Sequence, residues 1–341
     1  MPKTFGTLFP RICDFQNLLT AFKLASRGKR EMSDVLKFGA ALEENLFTLQ
    51  HELLAHTWTP RPFRRFMIRE PKAREIAAPA FRDRVVHHAL VAVINPLLDG
   101  KMISASFACR VGLGTHAAVA KAREYIRECH AKYGEFFILK GDVSRYFYSI
   151  DHTTLKGIFR RTIRCKDTLW LMDRIVDNDG STDVGIPIGA LTSQLFANVY
   201  LDQMDHYVKE VLKEQYYLRY MDDFVFMHPS KDRLHELKDI AEDYLNTRLK
   251  LRLNPKTSIF PQAHGLDFCG YRIWATHTLP RKRNVYRMRR RLRRMAGLYA
   301  SGKISRETVE SVLFSWFGYM QHCDSYQTMS KFLGKFALER G

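Results

Sequence analysis

The stretch that decides the fold is YYLRYMDDFVFM, residues 216–227. Aromatic and apolar residues flank two adjacent aspartates, a pattern that predicts a β-hairpin with Asp222 and Asp223 near its tip. Val225 and Phe226 are expected in the core, and unpaired carboxylates are costly to bury beside it. The pair therefore needs a neighbouring cation, which is Lys, Arg or a metal ion. The other interpretation is a solvent-exposed hairpin tip, where two aspartates are common.

A third carboxylate follows another strand. In EFFILKGDVSRYFYSI, residues 135–150, the apolar run 136–139 suits a buried strand, and Asp142 falls near its end. Three converging carboxylates suit hard divalent cations, which prefer oxygen ligands. Two such ions about 3.5–4 Å apart support nucleotidyl transfer. Spacing along the chain does not by itself show that the three carboxylates meet.

The charge of the chain indicates a polyanionic partner. Its 341 residues contain 54 basic and 36 acidic residues, a net charge of +18. Such an excess opposes folding by self-repulsion, but it favours binding to nucleic acid through counterion release. An anionic membrane surface is the competing partner. The best apolar run, 89–98, is interrupted by Asn95 and Pro96, so we expect no membrane association.

The cysteines indicate a reducing compartment. The six cysteines show no C-x-x-C pair, which argues against a disulfide framework or a zinc site. The N-terminal residues lack the apolar core of a signal peptide. We expect a cytoplasmic protein with reduced thiols.

Hydrophobic periodicity predicts helices at 32–56, 81–98 and 192–212. The buried stripe of the first contains Leu42, Leu46, Leu49 and Leu53; that of the third contains Phe196, Val199 or Tyr200, Met204, Val208 and Val211. Between Pro62 and Pro79 we expect two short strands around a turn at 70–73. His87 and His88 have no carboxylate or serine partner in view, so we interpret both as structural.

The last part of the chain changes character after Pro280. Nine of the fourteen residues from 281 to 294 are Lys or Arg, and as a helix this segment is expected to bury no whole side. It is either a solvated charge run or a helix that follows a nucleic-acid backbone. Farther on, an apolar helix face is expected from Leu313, Trp316, Phe317 and Met320. We predict three regions: a helical extension at 1–55, a catalytic region at 56–277 and a basic helical region at 278–341.

Five ordered blocks resemble the reverse transcriptase family. They are KGDVSRYFYSIDH, GIPIGALTSQLFANVYLDQMD, RYMDDFVFM, LRLNPKTSIF and FCGYRIW. The resemblance covers about residues 60–341 and is specific as a set, whereas any single block is weak. It implies an α/β (α+β) right-hand polymerase, in which fingers and a palm with an antiparallel sheet precede a small helical thumb. It also implies RNA-directed DNA synthesis with two Mg²⁺ ions, for which Mn²⁺ can substitute.

Within the family, the chain looks most like the reverse transcriptases of diversity-generating retroelements. The segments REIAAPAFRDRVVHHAL and SFACRVGLGTHAAV carry this likeness. It implies error-prone copying of template RNA at adenines into cDNA, with deoxynucleotide triphosphates and a small basic accessory variability protein as partners. Two alternatives remain open: another prokaryotic class (retron, intron-type or phage defence), and a non-catalytic nucleic-acid-binding scaffold, which predicts loss of an acidic ligand.

The resemblance assigns roles residue by residue. It implies metal binding by Asp142, the Val143 carbonyl, Asp222 and Asp223, and protonation of the leaving pyrophosphate by Lys256. It implies contacts to the incoming nucleotide from Lys72, Arg74, Phe147, Ile188 and Gly189, and to the nucleic-acid backbone from Arg287, Arg290, Arg291 and Arg294. Phe147 matches a steric gate against the ribose 2′-hydroxyl, with simple packing as the alternative. Arg74 and Lys72 are alternatively solvated hairpin charges, and Lys256 a plain surface lysine.

Residue 188 departs from the wider family. Most members have P-Q-G where this chain has Pro187, Ile188 and Gly189. Isoleucine cannot make the hydrogen bonds of the usual glutamine, and sites that hydrogen-bond reject wrong partners more sharply than apolar sites do. We therefore expect Ile188 to loosen discrimination among nucleotides. The alternative is that Ile188 packs under the turn.

Overall fold

The computed structural model describes residues 5–69, 73–178, 182–334, 336 and 338. Its helices are α1 (Phe9–Cys13), α2 (Phe15–Ser26), α3 (Ser33–Ala40), α4 (Leu42–Leu54), α5 (Phe81–Asp99), α6 (Thr115–Tyr133), α7 (Tyr146–Ser149), α8 (His152–Thr162), α9 (Lys166–Val176), α10 (Leu191–His206), α11 (Lys231–Leu249), α12 (Lys282–Ala300), α13 (Arg306–Met320) and α14 (Tyr326–Leu333). Its strands are β1 (Arg64–Ile68), β2 (Arg74–Ala78), β3 (Phe137–Asp142), β4 (Tyr217–Tyr220), β5 (Asp223–His228), β6 (Ser258–Pro261), β7 (Leu266–Phe268), β8 (Tyr271–Ile273) and β9 (Thr278–Pro280).

The N-terminal helices pack on α5. Helix α2 lies along α5, and the predicted leucines Leu46, Leu49 and Leu53 of α4 are fully buried. The single helix predicted at 32–56 is wrong, because the backbone leaves the helical region at Ala41 (φ −128°, ψ 54°). The Asn45 side chain donates to the Phe38 carbonyl, and so satisfies an acceptor that the end of α3 leaves free.

The two strands predicted between the prolines are confirmed. Strands β1 and β2 pair antiparallel, with Phe66 opposite Ile76 and Ile68 opposite Arg74. Lys72 lies outside the described residues. The hairpin is attached to the rest of the chain by the Ala77 amide, which donates to the Ile188 carbonyl.

The main sheet is antiparallel, in the order β4-β5-β3-β6. Both of its faces are buried. Leu139, Phe224 and Phe226 belong to one hydrophobic core, which includes α10 and α11. The alternate residues Ile138 and Val225 belong to a second core, under α6 and the three-stranded sheet β7-β8-β9. Because alternate residues of a strand point to opposite faces, the sheet lies between the two cores and contributes side chains to both.

Helix α10 is the central helix of the fold. The predicted residues Phe196, Tyr200, Met204 and Val208 are buried, but so are residues on the other sides, such as Asn198 and Asp205. The prediction of a single buried stripe is therefore wrong. Val211, which we expected in it, is 64% exposed, because the helix widens into a π turn at Tyr207–Val211.

The C-terminal helices form a third hydrophobic cluster, to which Trp316 and Met320 contribute as predicted. The expectation that the basic helix buries no whole side is wrong. Leu292 of α12 is fully buried and Met295 nearly so, with Met288 and Tyr299 packed against the same cluster. These spacings of four, three and four place an apolar stripe between the arginines. Within the described residues, no helix is both long and apolar enough to cross a membrane.

A buried ion pair connects the hairpin to the central helix. Arg219 of β4 and Asp205 of α10 are both fully buried. The Arg219 Nε lies 2.9 Å from both Asp205 carboxylate oxygens, and Nη2 lies 2.6 Å from Oδ2. The remaining guanidinium donors reach the Met221 carbonyl, Asn198 and the Ser106 hydroxyl. The guanidinium is therefore saturated with acceptors.

We predict that Asp205→Ala lowers the free energy of unfolding by about 3–5 kcal/mol, because it leaves a buried guanidinium unpaired. Urea denaturation followed by circular dichroism measures this change. Glu310→Ala, which breaks the exposed Arg306–Glu310 pair, is the control and should leave the unfolding midpoint unchanged. A similar loss of unfolding free energy in both variants would show that burial does not determine how much an ion pair contributes to stability.

A glycine allows β3 and β5 to approach beside the acids. Gly141 lies opposite Phe224 in the sheet, and a Cβ on Gly141 would stand 2.2 Å from the Phe224 ring. The ring is fully buried, so it has no free space to occupy. Glycine at 141 is therefore a steric requirement of this strand pair.

We predict that Gly141→Ala destabilises the fold by about 1–3 kcal/mol, as overpacking of a core does. The matched control is Gly157→Ala in α8, where the added Cβ meets nothing within 4 Å and alanine favours the helix. Thermal unfolding of the two variants should give melting temperatures that move in opposite directions. A fall in both, or in neither, would contradict the steric explanation.

Candidate active site

Three aspartates come together at one end of the main sheet. Asp142 is the last residue of β3 and lies directly opposite Asp223, the first residue of β5. Directly opposed residues of an antiparallel pair point to the same face and lie about 4.5–5.5 Å apart at Cα. Asp222 occupies the hairpin tip after Met221, which has a left-handed φ of 55°. The predicted convergence of the two strands is thus observed.

The electrostatics of the cluster are unfavourable for three bare charges. Burial, with the negative charge of Asp142 as the next cause, raises the pKa of Asp222 to about 6. Burial also raises the pKa of Asp223, and Lys140 opposes this effect. The Lys140 ammonium stands 3.8 Å from the Asp223 carboxylate. It also donates to the Asp267 carbonyl, so this one lysine contacts both Asp223 and Asp267.

A loop after α11 holds the third carboxylate. The Asn254 side chain donates to Asp142 Oδ2 at 2.7 Å, and its backbone amide donates to the Asp142 carbonyl at 2.7 Å. Lys256 lies in the same loop, where its backbone amide donates to the Asn254 side chain. Its side chain is exposed. The structure therefore places Lys256 in the loop that contacts Asp142 through Asn254.

The donor set fits hard divalent cations. It consists of carboxylate oxygens, which Mg²⁺ and Mn²⁺ accept. After burial, the negative charge of Asp142 contributes to the raised pKa of Asp222, and a cation would offset that charge. Among the described residues, no three His, Cys, Asp or Glu side chains already stand in the geometry of a metal site. Val143 is buried next to Asp142, and its amide donates to the Asp222 carbonyl.

The hairpin β1–β2 extends a cation towards the acids. Arg74 begins β2 and is exposed, yet its charge acts on Asp222 and partly offsets the rise in the pKa of that carboxyl. The structure thus brings together two residues that are far apart in sequence. Arg74 is positioned to contact an anion that lies between it and the carboxylates.

The loop before α10 lies under the same hairpin. The Phe147 carbonyl accepts from the Ile186 amide, and the Phe147 ring is half-buried at 5.7 Å from the Tyr146 ring. Ile188 is half-buried and lines a small cavity with Tyr148. Gly189 has a φ of 123°, and a Cβ there would stand 2.7 Å from Ile76.

The four predicted arginines of α12 do not share one environment. Arg287 and Arg291 line a groove of about 310 Å³ between α12 and α13. Arg290 and Arg294 are exposed elsewhere on the helix. Because 287 and 291 are one turn apart, the groove presents two guanidinium groups on one face.

The sequence analysis missed four residues that shape the site: Lys140, Gly141, Asn254 and Arg219. Gly141 carried a signal, since glycine within a strand indicates close approach of a neighbour. The others carried none, because lysine, asparagine and arginine are common surface residues and their partners are distant in the sequence.

Comparison with known proteins agrees with this geometry. Residues 68–273 match the family model described as reverse transcriptase (RNA-dependent DNA polymerase). The protein YkfC of Escherichia coli K12 is 27% identical, over 72% of this chain and 74% of its own length. The group II intron-encoded protein LtrA of Lactococcus lactis subsp. cremoris is 24% identical, over 50% of this chain and 29% of its own length.

A solved structure shows the same fold. The apo telomerase of Candida tropicalis superposes with a TM-score of 0.51 at 15% identity, over 83% of this chain and 64% of the telomerase chain. At this identity the likeness concerns the fold alone, and it confirms the expected right-hand arrangement of fingers and palm. The matched model spans both the β1–β2 hairpin side of the site and the strands that bear the three aspartates. The chain therefore belongs to the reverse transcriptase family of RNA-directed DNA polymerases.

Proposed function

We propose that this chain copies an RNA template into cDNA by two-metal nucleotidyl transfer at Asp142, Asp222 and Asp223. The observation that carries the proposal is the register of β3 against β5, which places Asp142 opposite Asp223 at the hairpin tip. It is supported by membership of the family, whose model covers both strands. The scaffold alternative requires loss of an acidic ligand, and all three acids are present.

The carboxylates would hold the two cations through oxygen ligands, with the Val143 carbonyl as a further donor. When bound, such ions lower the charge on the triphosphate and favour ionisation of the attacking primer hydroxyl. Asn254 keeps the Asp142 carboxylate in place through its side-chain hydrogen bond. Arg74 binds phosphate oxygens of the incoming nucleotide from the opposite side, and Lys72 is proposed to assist it.

Selection of deoxynucleotides is assigned to Phe147. Its position next to the Asp142 strand end and its half-buried ring support a steric clash with a ribose 2′-hydroxyl. Gly189, which tolerates no side chain beside Ile76, keeps the loop close to the hairpin and so shapes the same pocket. Lys256 is proposed as the donor of a proton to the leaving pyrophosphate, which its exposed side chain permits.

The basic C-terminal region is proposed as the thumb, within the division 1–55, 56–277 and 278–341. Arg287 and Arg291 contact the template–primer backbone from their groove, and Arg290 and Arg294 add to the positive surface. Contacts of this kind give affinity without sequence preference and weaken with salt.

We also propose that the chain serves a diversity-generating retroelement, with a template RNA and a small basic accessory protein as partners. The residue that supports this is Ile188, whose apolar side chain lines a cavity under the fingers hairpin where the wider family has glutamine. The proposed consequence is frequent misincorporation opposite adenine, because the position offers no side-chain hydrogen bond.

An intron-type reverse transcriptase is the second candidate. It is favoured by the relatives, since LtrA is encoded by a group II intron and two further matching proteins, of Saccharomyces cerevisiae, are named as putative COX1/OXI3 intron proteins. Accurate copying of template adenines by the purified enzyme would favour this candidate.

The first prediction of the proposed function concerns Asp222 and Asp223. Replacing Asp222 and Asp223 together by Asn should lower Mg²⁺-dependent primer extension on RNA more than about 100-fold. The melting temperature should not fall. A carboxyl whose pKa is raised by folding destabilises the fold in its ionised form at neutral pH, so removing that charge does not weaken the fold.

The control is Asp239→Asn on the exposed side of α11, which should extend primers at the wild-type rate. Extension that persists in the double variant would disprove the assignment of the site. A collapse of the melting temperature in the double variant would show that the acids are structural.

The second prediction of the proposed function concerns the fidelity of cDNA synthesis. Ile188→Gln should lower the frequency of substitutions opposite template adenine about three- to tenfold, the discrimination that one net hydrogen bond supplies. Sequencing of cDNA made with the accessory protein and cognate RNA, where these are available, measures it.

Ile188→Leu is the matched control, since it keeps an apolar side chain of the same size and should leave the error spectrum unchanged. Equal error spectra in wild type, Ile188→Gln and Ile188→Leu would show that Ile188 contributes to packing alone. A wild-type enzyme that copies adenine accurately would reject the retroelement proposal and retain the polymerase.

A further inference from the structure

Lys140 occupies a position in β3 that the packing would otherwise give to an apolar residue. Alternate residues of a strand share a face, so Ile138, Lys140 and Asp142 lie on the same face of β3. On this face Ile138 and Val225 are fully buried in the second core, and Lys140 lies directly opposite Val225. Lysine is rarely placed among buried residues unless it is paired. The partners of Lys140 therefore explain why a cation stands here.

Two oxygen acceptors hold the Lys140 ammonium. It donates to the Asp267 carbonyl at 2.9 Å and lies 3.8 Å from the Asp223 carboxylate, with 25% of the lysine side chain exposed. Asp267 belongs to β7, where it pairs with Arg272 of β8, and its carboxylate accepts from the Arg281 Nε at 2.8 Å. The carbonyl that holds the lysine is therefore fixed by its own sheet, and the ammonium is kept beside Asp223.

The three aspartates are not held in the same way. Within the described residues, Lys140 is the only basic residue that forms an ion pair with any of them. Asp142 is held by the side-chain amide of Asn254, which is neutral and does not repel a cation. A divalent cation on Asp223 would instead stand near a fixed ammonium of the same sign. The surroundings therefore favour a cation at Asp142 over one at Asp223.

We propose that Lys140 weakens the binding of one of the two cations, the one that Asp223 holds, until a nucleotide is present. The inference rests on the proposed function, since it needs two cations at the aspartates. The triphosphate of an incoming nucleotide brings negative charge and oxygen ligands, which offset the repulsion from the ammonium. Lys140 is thus a positioning residue that acts through Asp223 and makes the second cation arrive with the nucleotide.

The test counts the Mn²⁺ ions that the full chain binds without nucleotide or nucleic acid, by electron paramagnetic resonance of the free ion. Wild type should bind one ion, and a second ion about tenfold more weakly. Lys140→Met removes the charge and keeps a side chain of similar length, so the second ion should bind about tenfold more tightly than in wild type. Lys140→Arg keeps the charge and should titrate as wild type does.

Thermal unfolding gives a second measurement that is independent of activity. An ion that binds only the folded chain raises the melting temperature more as its affinity increases. The rise that Mn²⁺ causes should therefore be larger in Lys140→Met than in wild type. The metal-free melting temperature of the variant should be lower than that of wild type, because Asp223 loses its paired cation.

Two controls separate the local charge from a general change in charge. Lys37→Met removes an exposed lysine near the end of α3, a helix that packs on α4 and α5, and should leave both affinities unchanged. Asp223→Asn should abolish the weaker ion. Adding Lys140→Met to Asp223→Asn should then leave the binding of Mn²⁺ unchanged, because the lysine acts through that carboxylate.

The outcomes separate the role of Lys140 from the polymerase activity. Equal affinities in wild type and Lys140→Met would overturn the inference, while primer extension would still support the proposed function. Equal tightening in Lys140→Arg and Lys140→Met would also overturn it, because packing and not charge would then be the cause. Weaker binding in Lys140→Met would show the opposite role, in which the lysine orients Asp223 for the cation. Failure of wild type to bind Mn²⁺, together with a lack of primer extension, would overturn both proposals.

Discussion

The buried Arg219–Asp205 pair is the constraint on which the rest of the site depends. It connects the first strand of the hairpin to the central helix α10, and the N–H donors of the same guanidinium all reach protein acceptors. One of them is the carbonyl of Met221, the left-handed residue directly before Asp222. The pair thereby sets the turn that presents the two aspartates. A hydrophobic pair of similar volume could fill the space, but it would not hold that carbonyl.

The aspartate cluster is held together against its own electrostatics. Asp142 and Asp223 face each other across the strand pair, and their negative charges add to burial, the larger cause, in raising the pKa of Asp222. Lys140 and Asn254 offset only part of this negative charge, at Asp223 and Asp142 respectively. The remaining stability comes from the two hydrophobic cores on either face of the sheet. A site with surplus negative charge on a rigid sheet is suited to recruit cations without rearrangement.

The excess positive charge of the chain is distributed around this negative centre. Arg74 approaches from the hairpin, and the Arg287 and Arg291 groove lies on the C-terminal helices. A strand of nucleic acid that crosses the site therefore meets cations on both sides and carboxylates only at the centre. This arrangement favours backbone contacts that are independent of sequence, and the base-dependent contact that we propose lies at the loop of Ile188.

The sequence by itself determined strands β1 to β5, the hairpin and the three acids. Short runs of apolar residues and the position of the aspartates at their ends are local features, which are readable in one dimension. It also indicated the nucleic-acid partner through net charge. It was wrong where a helix is surrounded by protein, as α10 is, and where a narrow apolar stripe runs between charges, as in α12 with Leu292. Only the tertiary structure decided that Arg219 is a buried partner of Asp205, that Asn254 reaches Asp142, and that Lys140 lies beside Asp223. The physical reason is that these contacts join residues distant in the chain, whose burial and partners depend on how the sheet and helices pack and not on any local pattern.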